Sequence, residues 1–122
     1  MANEWHVPYE LLKPETRQMA RAIQSLMEEL EAIDWYNQRA DVTEDDELRR
    51  ILEHNRDEEK EHAAMVLEWI RRHDPKLNDA LRKYLFTSAD LIQLEAGPGS
   101  ASAPREVPRL TVGSLRPRRD QQ

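Results

Sequence analysis

Residues that break a helix are concentrated at one end of this chain. All three glycines, Gly97, Gly99 and Gly113, fall in the last stretch together with Pro98, Pro104, Pro108 and Pro117, so everything before it is free to be helical. Pro14 suits the first turn of a helix, where its missing N–H costs nothing. From Met19 onward Ile23, Leu26, Leu30 and Ile33 recur at alternating steps of four and three, the stripe of an antiparallel or coiled-coil-like pair. This predicts a first helix from about Pro14 to Ala40. A short link, Asp41-Val42-Thr43, follows, and Thr43-Glu44-Asp45-Asp46 reads as a capping-box variant with acids favoured by the helix dipole. The second helix carries Leu48, Leu52, Asn55, Glu59, His62, Val66 and Trp69 at the same steps and ends on Arg71, Arg72 and His73, a favourable basic last turn. Asp74-Pro75 pairs an N-cap with a first-turn proline and predicts a third, shorter helix over about Pro75 to Phe86. Two helices of ~30 residues would each be ~40 Å long, half of a four-helix bundle. The expected fold is therefore all-α: an antiparallel two-helix hairpin with a short third helix, dimerising into a four-helix bundle.

After a last apolar patch at Leu91, Ile92 and Leu94, the segment GPGSASAPREVP has the composition of a flexible linker. The predicted organisation is a helical body over 1–96 and a disordered tail over 97–122. Within that tail Leu110 to Arg116 is a compact apolar island, suited to docking into a groove of another protein.

Of the 122 residues 34% are charged and 39% hydrophobic, which limits the core one copy can bury and favours a partner. There is no cysteine, which excludes disulfides, thiolate zinc, iron–sulfur clusters and a thiol nucleophile, so any metal must use His and carboxylates. No run approaches a membrane span, and MANEWHVPYELLKPE lacks the regions of a signal peptide, so a cytoplasmic location is expected. The net charge is −6, but five arginines against Glu106 and Asp120 give the tail from Gly97 a balance of +3 and leave −9 on the rest. Such a body repels nucleic acid and attracts cations. Tail arginines without an aromatic platform support only weak, salt-sensitive binding, so neither nucleic acid nor membrane is an expected partner.

Asn55, Glu59 and His62 interrupt the apolar line of the second helix where a core should be. An unpaired buried charge costs several kcal/mol, and a metal ion relieves that cost. Glu59 and His62 stand at i, i+3 on one face, within reach of a single ion. On the first helix Glu29 continues the line Ala22, Leu26, Ile33 and Tyr36, again a carboxylate on an apolar stripe, and can face Glu59 across the pair. A ferritin-like di-iron site takes one Glu from each of two helices and a Glu-x-x-His pair from each of two others. This chain has one of each, so a two-fold dimer would complete bundle and site together. His54, Glu58 and Glu61 form a second carboxylate–imidazole stripe that reads as a solvated face. Glu28, Glu31 and Asp34 form either an acidic funnel beside Glu29 or a solvated helix face. Trp35 and Tyr36 read mainly as packing, with Tyr36 placed to hydrogen-bond a ligand or donate an electron.

The blocks MEELEAIDWYNQR (Met27 to Arg39), HNRDEEKEHAAM (His54 to Met65), LEWIRR (Leu67 to Arg72) and YLFT (Tyr84 to Thr87) together resemble the encapsulated ferritins. The tail segment LTVGSLR, followed by Pro-Arg-Arg, resembles the peptides that load cargo into encapsulin shells. The resemblance implies a two-helix subunit that pairs to build a ferroxidase centre, in a ring of dimers that is a decamer in the family. It implies that Glu29 is the bridging glutamate and that Glu59 and His62 are the Glu-x-x-His ligands. Glu28 and Glu31 beside Trp35 then match the acids that take up metal, Tyr36 the tyrosine near the centre, and His54, Glu58 and Glu61 an outer metal position. The implied activity is oxidation of Fe(II) to Fe(III) by O₂ at a di-iron centre, with storage left to a shell that encloses the ring. Shell recognition would fall on Leu110, Thr111, Val112, Gly113, Ser114, Leu115 and Arg116, with Pro117 to Gln122 extending past the segment. The rival reading is a non-enzymatic adaptor, a helical oligomer that carries its tail to a shell and binds divalent ions incidentally.

Overall fold

A computed structural model describes residues 5–97. Packing divides the chain into two units, Met1–Pro75 and Lys76–Gln122. The first holds a single 3-10 turn, Tyr9–Leu11, and two long helices, α1 (Pro14–Val42) and α2 (Asp46–His73). The second holds α4 (Leu91–Ala96) and all but the first residue of α3 (Pro75–Tyr84). The described residues are all-helical, and none of these helices is long and apolar enough to cross a membrane.

α1 starts with Pro14 in its first turn and runs two residues past the expected end at Ala40. The reason lies in Thr43. Its hydroxyl donates to the Arg39 carbonyl at 2.6 Å and its N–H to the Ala40 carbonyl at 3.4 Å, which ties off the last turn of α1. The N-cap of α2 is consequently Asp45, not Thr43: the Asp45 carboxylate accepts the Leu48 N–H at 2.8 Å. Asp46, in the first turn, pairs with both Arg49 and Arg50. At the far end Glu68 accepts from Arg71 and Arg72, and the His73 ring stacks on Trp69 with centroids 3.8 Å apart.

The link between α1 and α2 is only residues 43–45, so the two helices return antiparallel and pack along their lengths. Their shared face is lined by Ala22, Leu26, Glu29, Ile33 and Tyr36 from α1 and by Leu52, Asn55, Glu59, His62 and Val66 from α2, all partly buried. Among the described residues burial of apolar side chains is confined to Ala40, Ala63 and Ile70. Four apolar residues of the expected stripes separate from this face: Ile23 and Leu30 on α1 and Leu48 and Trp69 on α2 are exposed, as is Met27 beside them. A helix can turn only one side to a single neighbour, and these stripes are wider than that side.

α3 stops at Tyr84, two residues before the expected end, because Phe86 takes a left-handed backbone conformation with φ 61° that no helix can continue. The patch at Leu91, Ile92 and Leu94 is itself a helix, capped by Asp90, whose carboxylate accepts the Gln93 N–H at 3.0 Å.

Candidate metal centre

Helical periodicity brings three ionisable side chains together on the shared face of the hairpin. Glu29 stands between Leu26 and Ile33 on α1, and Glu59 and His62 stand one turn apart on α2. One donor atom of each lies within 4.8 Å of the other two. His62 Nδ1 is 3.2 Å from Glu59 Oε1 and 3.8 Å from Glu29 Oε1. Both carboxylates are 24% exposed and the imidazole 43%, so the cluster opens on one side to solvent while the apolar neighbours close the other.

The two carboxylates titrate in opposite directions. A hydrogen bond to Glu59, then partial burial and the charge of Glu59, hold the Glu29 carboxyl above the ordinary value of 4.5. The same hydrogen bond to Glu29, reinforced by the one to His62, holds Glu59 below it. Glu29 is therefore the member of the pair that loses its proton at the higher pH, and in its protonated form it donates toward the Glu59 carboxylate. A divalent cation would displace that proton and relieve the contact between like groups. Hard carboxylate oxygens with one borderline imidazole suit a first-row divalent metal such as ferrous iron, and three protein donors leave coordination positions open.

The other residues singled out in the sequence stand around this cluster. Glu28 and Glu31 are exposed, with Glu28 accepting from Gln24 Nε2 at 3.2 Å, and Trp35 is half exposed beside them. Tyr36 is partly buried two turns along α1 from Glu29, with the Arg39 guanidinium 5.2 Å from its ring centre. On α2, His54 Nε2 lies 3.8 Å from Glu58 Oε2, and Glu58 Oε1 lies 3.9 Å from His62 Nε2. Glu61 lines a shallow groove with Met65 and Trp69. Among the described residues Glu29, Glu59 and His62 form a converging three-donor group, whereas Glu28 with Glu31 and His54 with Glu58 and Glu61 do not. Side chains spaced along one exposed helix face diverge, and convergence here comes from two helices facing each other. The segment Leu110 to Arg116 lies outside the described residues.

One contact beside the cluster escaped the reading of the sequence. Arg56 on α2 donates from Nη1 to Asn37 Oδ1 on α1 at 3.0 Å. The available signal was the spacing of Arg56 seven residues before Ala63 and fourteen before Ile70, which puts a guanidinium on the buried line of α2.

A family model described as EncFtn-like matches residues 4–88. An encapsulated ferritin-like protein of Rhodospirillum rubrum is 59% identical over 95 residues, covering 78% of this chain and 68% of that protein. A ferritin-like protein of Thermotoga maritima is 52% identical over 95 residues, covering 78% of this chain and 83% of its own. The encapsulin nanocompartment cargo protein EncC of Myxococcus xanthus is 40% identical over 111 residues, covering 81% of this chain and 85% of that protein. Among solved structures, the crystal structure of protein NE0167 from Nitrosomonas europaea superposes with a TM-score of 0.71 at 57% identity, covering 73% of this chain and 98% of that one.

Proposed function

Because this chain belongs to the EncFtn-like family, we propose that it is a ferroxidase whose substrate, Fe(II), binds between Glu29, Glu59 and His62 of two copies related by a two-fold axis. The observation that carries this reading is the convergence of the three donors within 4.8 Å on a face the hairpin leaves partly open. Each copy supplies one Glu and one Glu-x-x-His pair, half of a ferritin-like di-iron set, and the two-fold supplies the other half. The exposed apolar residues Ile23, Met27 and Leu30 flank Glu29 and give the second copy something to pack against.

Glu29 exchanges its shared proton for metal and bridges, Glu59 contributes a carboxylate already ionised, and His62 contributes Nδ1. Two Fe(II) each lose one electron, and O₂ takes both together with two protons from water and leaves as hydrogen peroxide. Oxygen donors stabilise the ferric product relative to the ferrous substrate, so the ligand set favours the direction of the reaction. Glu28 and Glu31 beside Trp35 draw ferrous ions toward the pair, Tyr36 stands by as a hydrogen-bonding group, and His54, Glu58 and Glu61 form an outer position for metal in transit.

Assembly follows the family reading: a ring of dimers, a decamer, held within an encapsulin shell that stores the ferric product. The names of the Rhodospirillum and Myxococcus relatives support such a partner and a place in the lumen of a nanocompartment. Residues 1–96 would form the catalytic body, and 97–122 the linker that presents Leu110 to Arg116 to the shell.

Stopped-flow mixing of anaerobic Fe(II) protein with O₂ is expected to show a fast ferric absorbance phase, slowed about a hundredfold or more in Glu29→Ala and His62→Ala. Unchanged rates in both variants would remove the site. Co-expression with a shell protein should load the full chain and fail to load one lacking residues 110–116, and equal loading would refute the role given to that segment.

A further inference from the structure

Arg56 stands where a hydrophobic residue would be expected. Ala63 and Ile70, the two most buried residues of α2, follow it at seven and fourteen residues, so Arg56 lies on the line that α2 turns toward α1. A guanidinium on such a line costs desolvation unless its donors are met. The Arg56 side chain is only 22% exposed, and its fork is engaged on two sides. Nε donates to Asp57 Oδ1 at 3.0 Å within α2, and Nη1 donates to Asn37 Oδ1 at 3.0 Å across to α1. Asp57 is in turn held by Lys60 Nζ at 3.4 Å, so the arginine leaves α2 from a braced base.

Helical side chains lean toward the N-terminus of their own helix, and the N-terminus of α2 lies at the link. Arg56, one turn before Glu59, therefore reaches toward Asn37, two turns beyond Glu29. The crossing bond sits just to the link side of the Glu29–Glu59–His62 cluster. Apart from the cluster itself, the buried residues of the shared face are two alanines and an isoleucine, and apolar burial is non-directional. A slip of one residue moves a helix 1.5 Å along its axis and 100° around it, enough to carry Glu29 away from Glu59. A planar guanidinium bonded at two fixed angles opposes both movements.

We propose that the Arg56–Asn37 hydrogen bond is the positioning contact of the metal centre, setting the rotation and register of α2 on α1 that bring Glu29 to Glu59 and His62. The inference rests on the cluster being a metal site. Neither residue belongs to the converging donor group.

The test uses the full chain with Co(II) as a spectroscopic probe, comparing wild type with Asn37→Ala, Arg56→Met, the double variant, Asn37→Asp and, as a ligand control, Glu59→Ala. Asn37 is on an exposed helix face where alanine favours the helix, so that variant keeps the fold, and far-UV circular dichroism checks it. Asn37→Ala and Arg56→Met are each expected to weaken Co(II) binding about tenfold and alter its visible spectrum, the double variant to lose no more than either, and Asn37→Asp to retain both. A lowered melting temperature with unchanged Co(II) affinity and spectrum in the folded variants would overturn the proposal. So would a loss in Arg56→Met that Asn37→Ala does not share, because the arginine would then act within α2 alone. Wild type binding Co(II) no better than Glu59→Ala would instead remove the metal centre, and this contact's purpose with it.

Discussion

Glu29 holds its proton to higher pH than an ordinary carboxyl because it shares a hydrogen bond with Glu59, and this gives the metal-free pair a pH dependence. The raised value of Glu29 means its favourable contribution is full below 4.5 and is lost as pH climbs through the raised value, when two like charges meet. Glu59 behaves oppositely: its contribution is present above 4.5 and is lost as pH falls through its lowered value. Glu29→Gln supplies a permanent donor in place of the proton and removes only the upper limb. Metal-free Glu29→Gln should therefore melt a few degrees above wild type near pH 8, with the gap closing as pH falls toward 4.5. Thermal denaturation in the presence of a chelator reads this directly, and a gap constant across that window would contradict the shared proton. The three donors were legible in the sequence because each breaks an apolar line at helical spacing. Arg56 was legible only as a guanidinium on the line of Ala63 and Ile70, and its meeting with Asn37 was not, because that depends on how two helices are rotated against each other, which no single-helix period encodes.

The ends of the elements depend on which polar side chain claims which orphaned backbone group. Thr43 and Asp45 both suit the start of α2, and the sequence pattern favoured the threonine. The structure gives Thr43 to the last turn of α1 and leaves Asp45 to cap α2, so one short link closes two helices with two residues. The assignment carries different costs. Asp45→Ala removes the partner of the Leu48 N–H and should destabilise the protein by about 1 kcal/mol in chemical denaturation. Thr43→Ala leaves a carbonyl that exposed solvent can satisfy and should cost less than about 0.5 kcal/mol. Equal losses would mean that the cap is shared. α4 illustrates the same rule in reverse. Asp90 and Gln93 stand three apart, as in a capping box, ahead of the apolar patch, yet so short a run of apolar residues carries too little periodicity to declare a helix. The early stop of α3 depends on the conformation of Phe86, a residue type that gives no warning of a left-handed turn.

For the molecule as a whole, the hairpin buries far less than its sequence offers. Among the described residues three small or medium apolar side chains are buried, while Ile23, Met27 and Leu30 remain 46%, 57% and 54% exposed in a row along α1. The four–three spacing correctly announced an antiparallel pair of helices, but composition alone could not say which apolar residues that pair would leave exposed. Closing that face in a two-fold pair would bury three side chains from each copy at roughly 1 kcal/mol apiece, since each is already about half covered. This is comparable to the cost of bringing two chains together, roughly 4–15 kcal/mol, so association should depend on concentration and be sensitive to a single charge. Ile23 is the residue to change: it is exposed within one hairpin and stands six positions before Glu29, so the ligands stay in place. Ile23→Arg should keep its helical content, sediment as a smaller species than wild type at equal concentration, and lose Fe(II) oxidation in proportion to the lost assembly. Raising its concentration should restore both together. A rate per chain that stays at the wild-type level while the variant sediments as a monomer would show that one copy is a sufficient catalyst, and the shared coordination sphere would have to be abandoned.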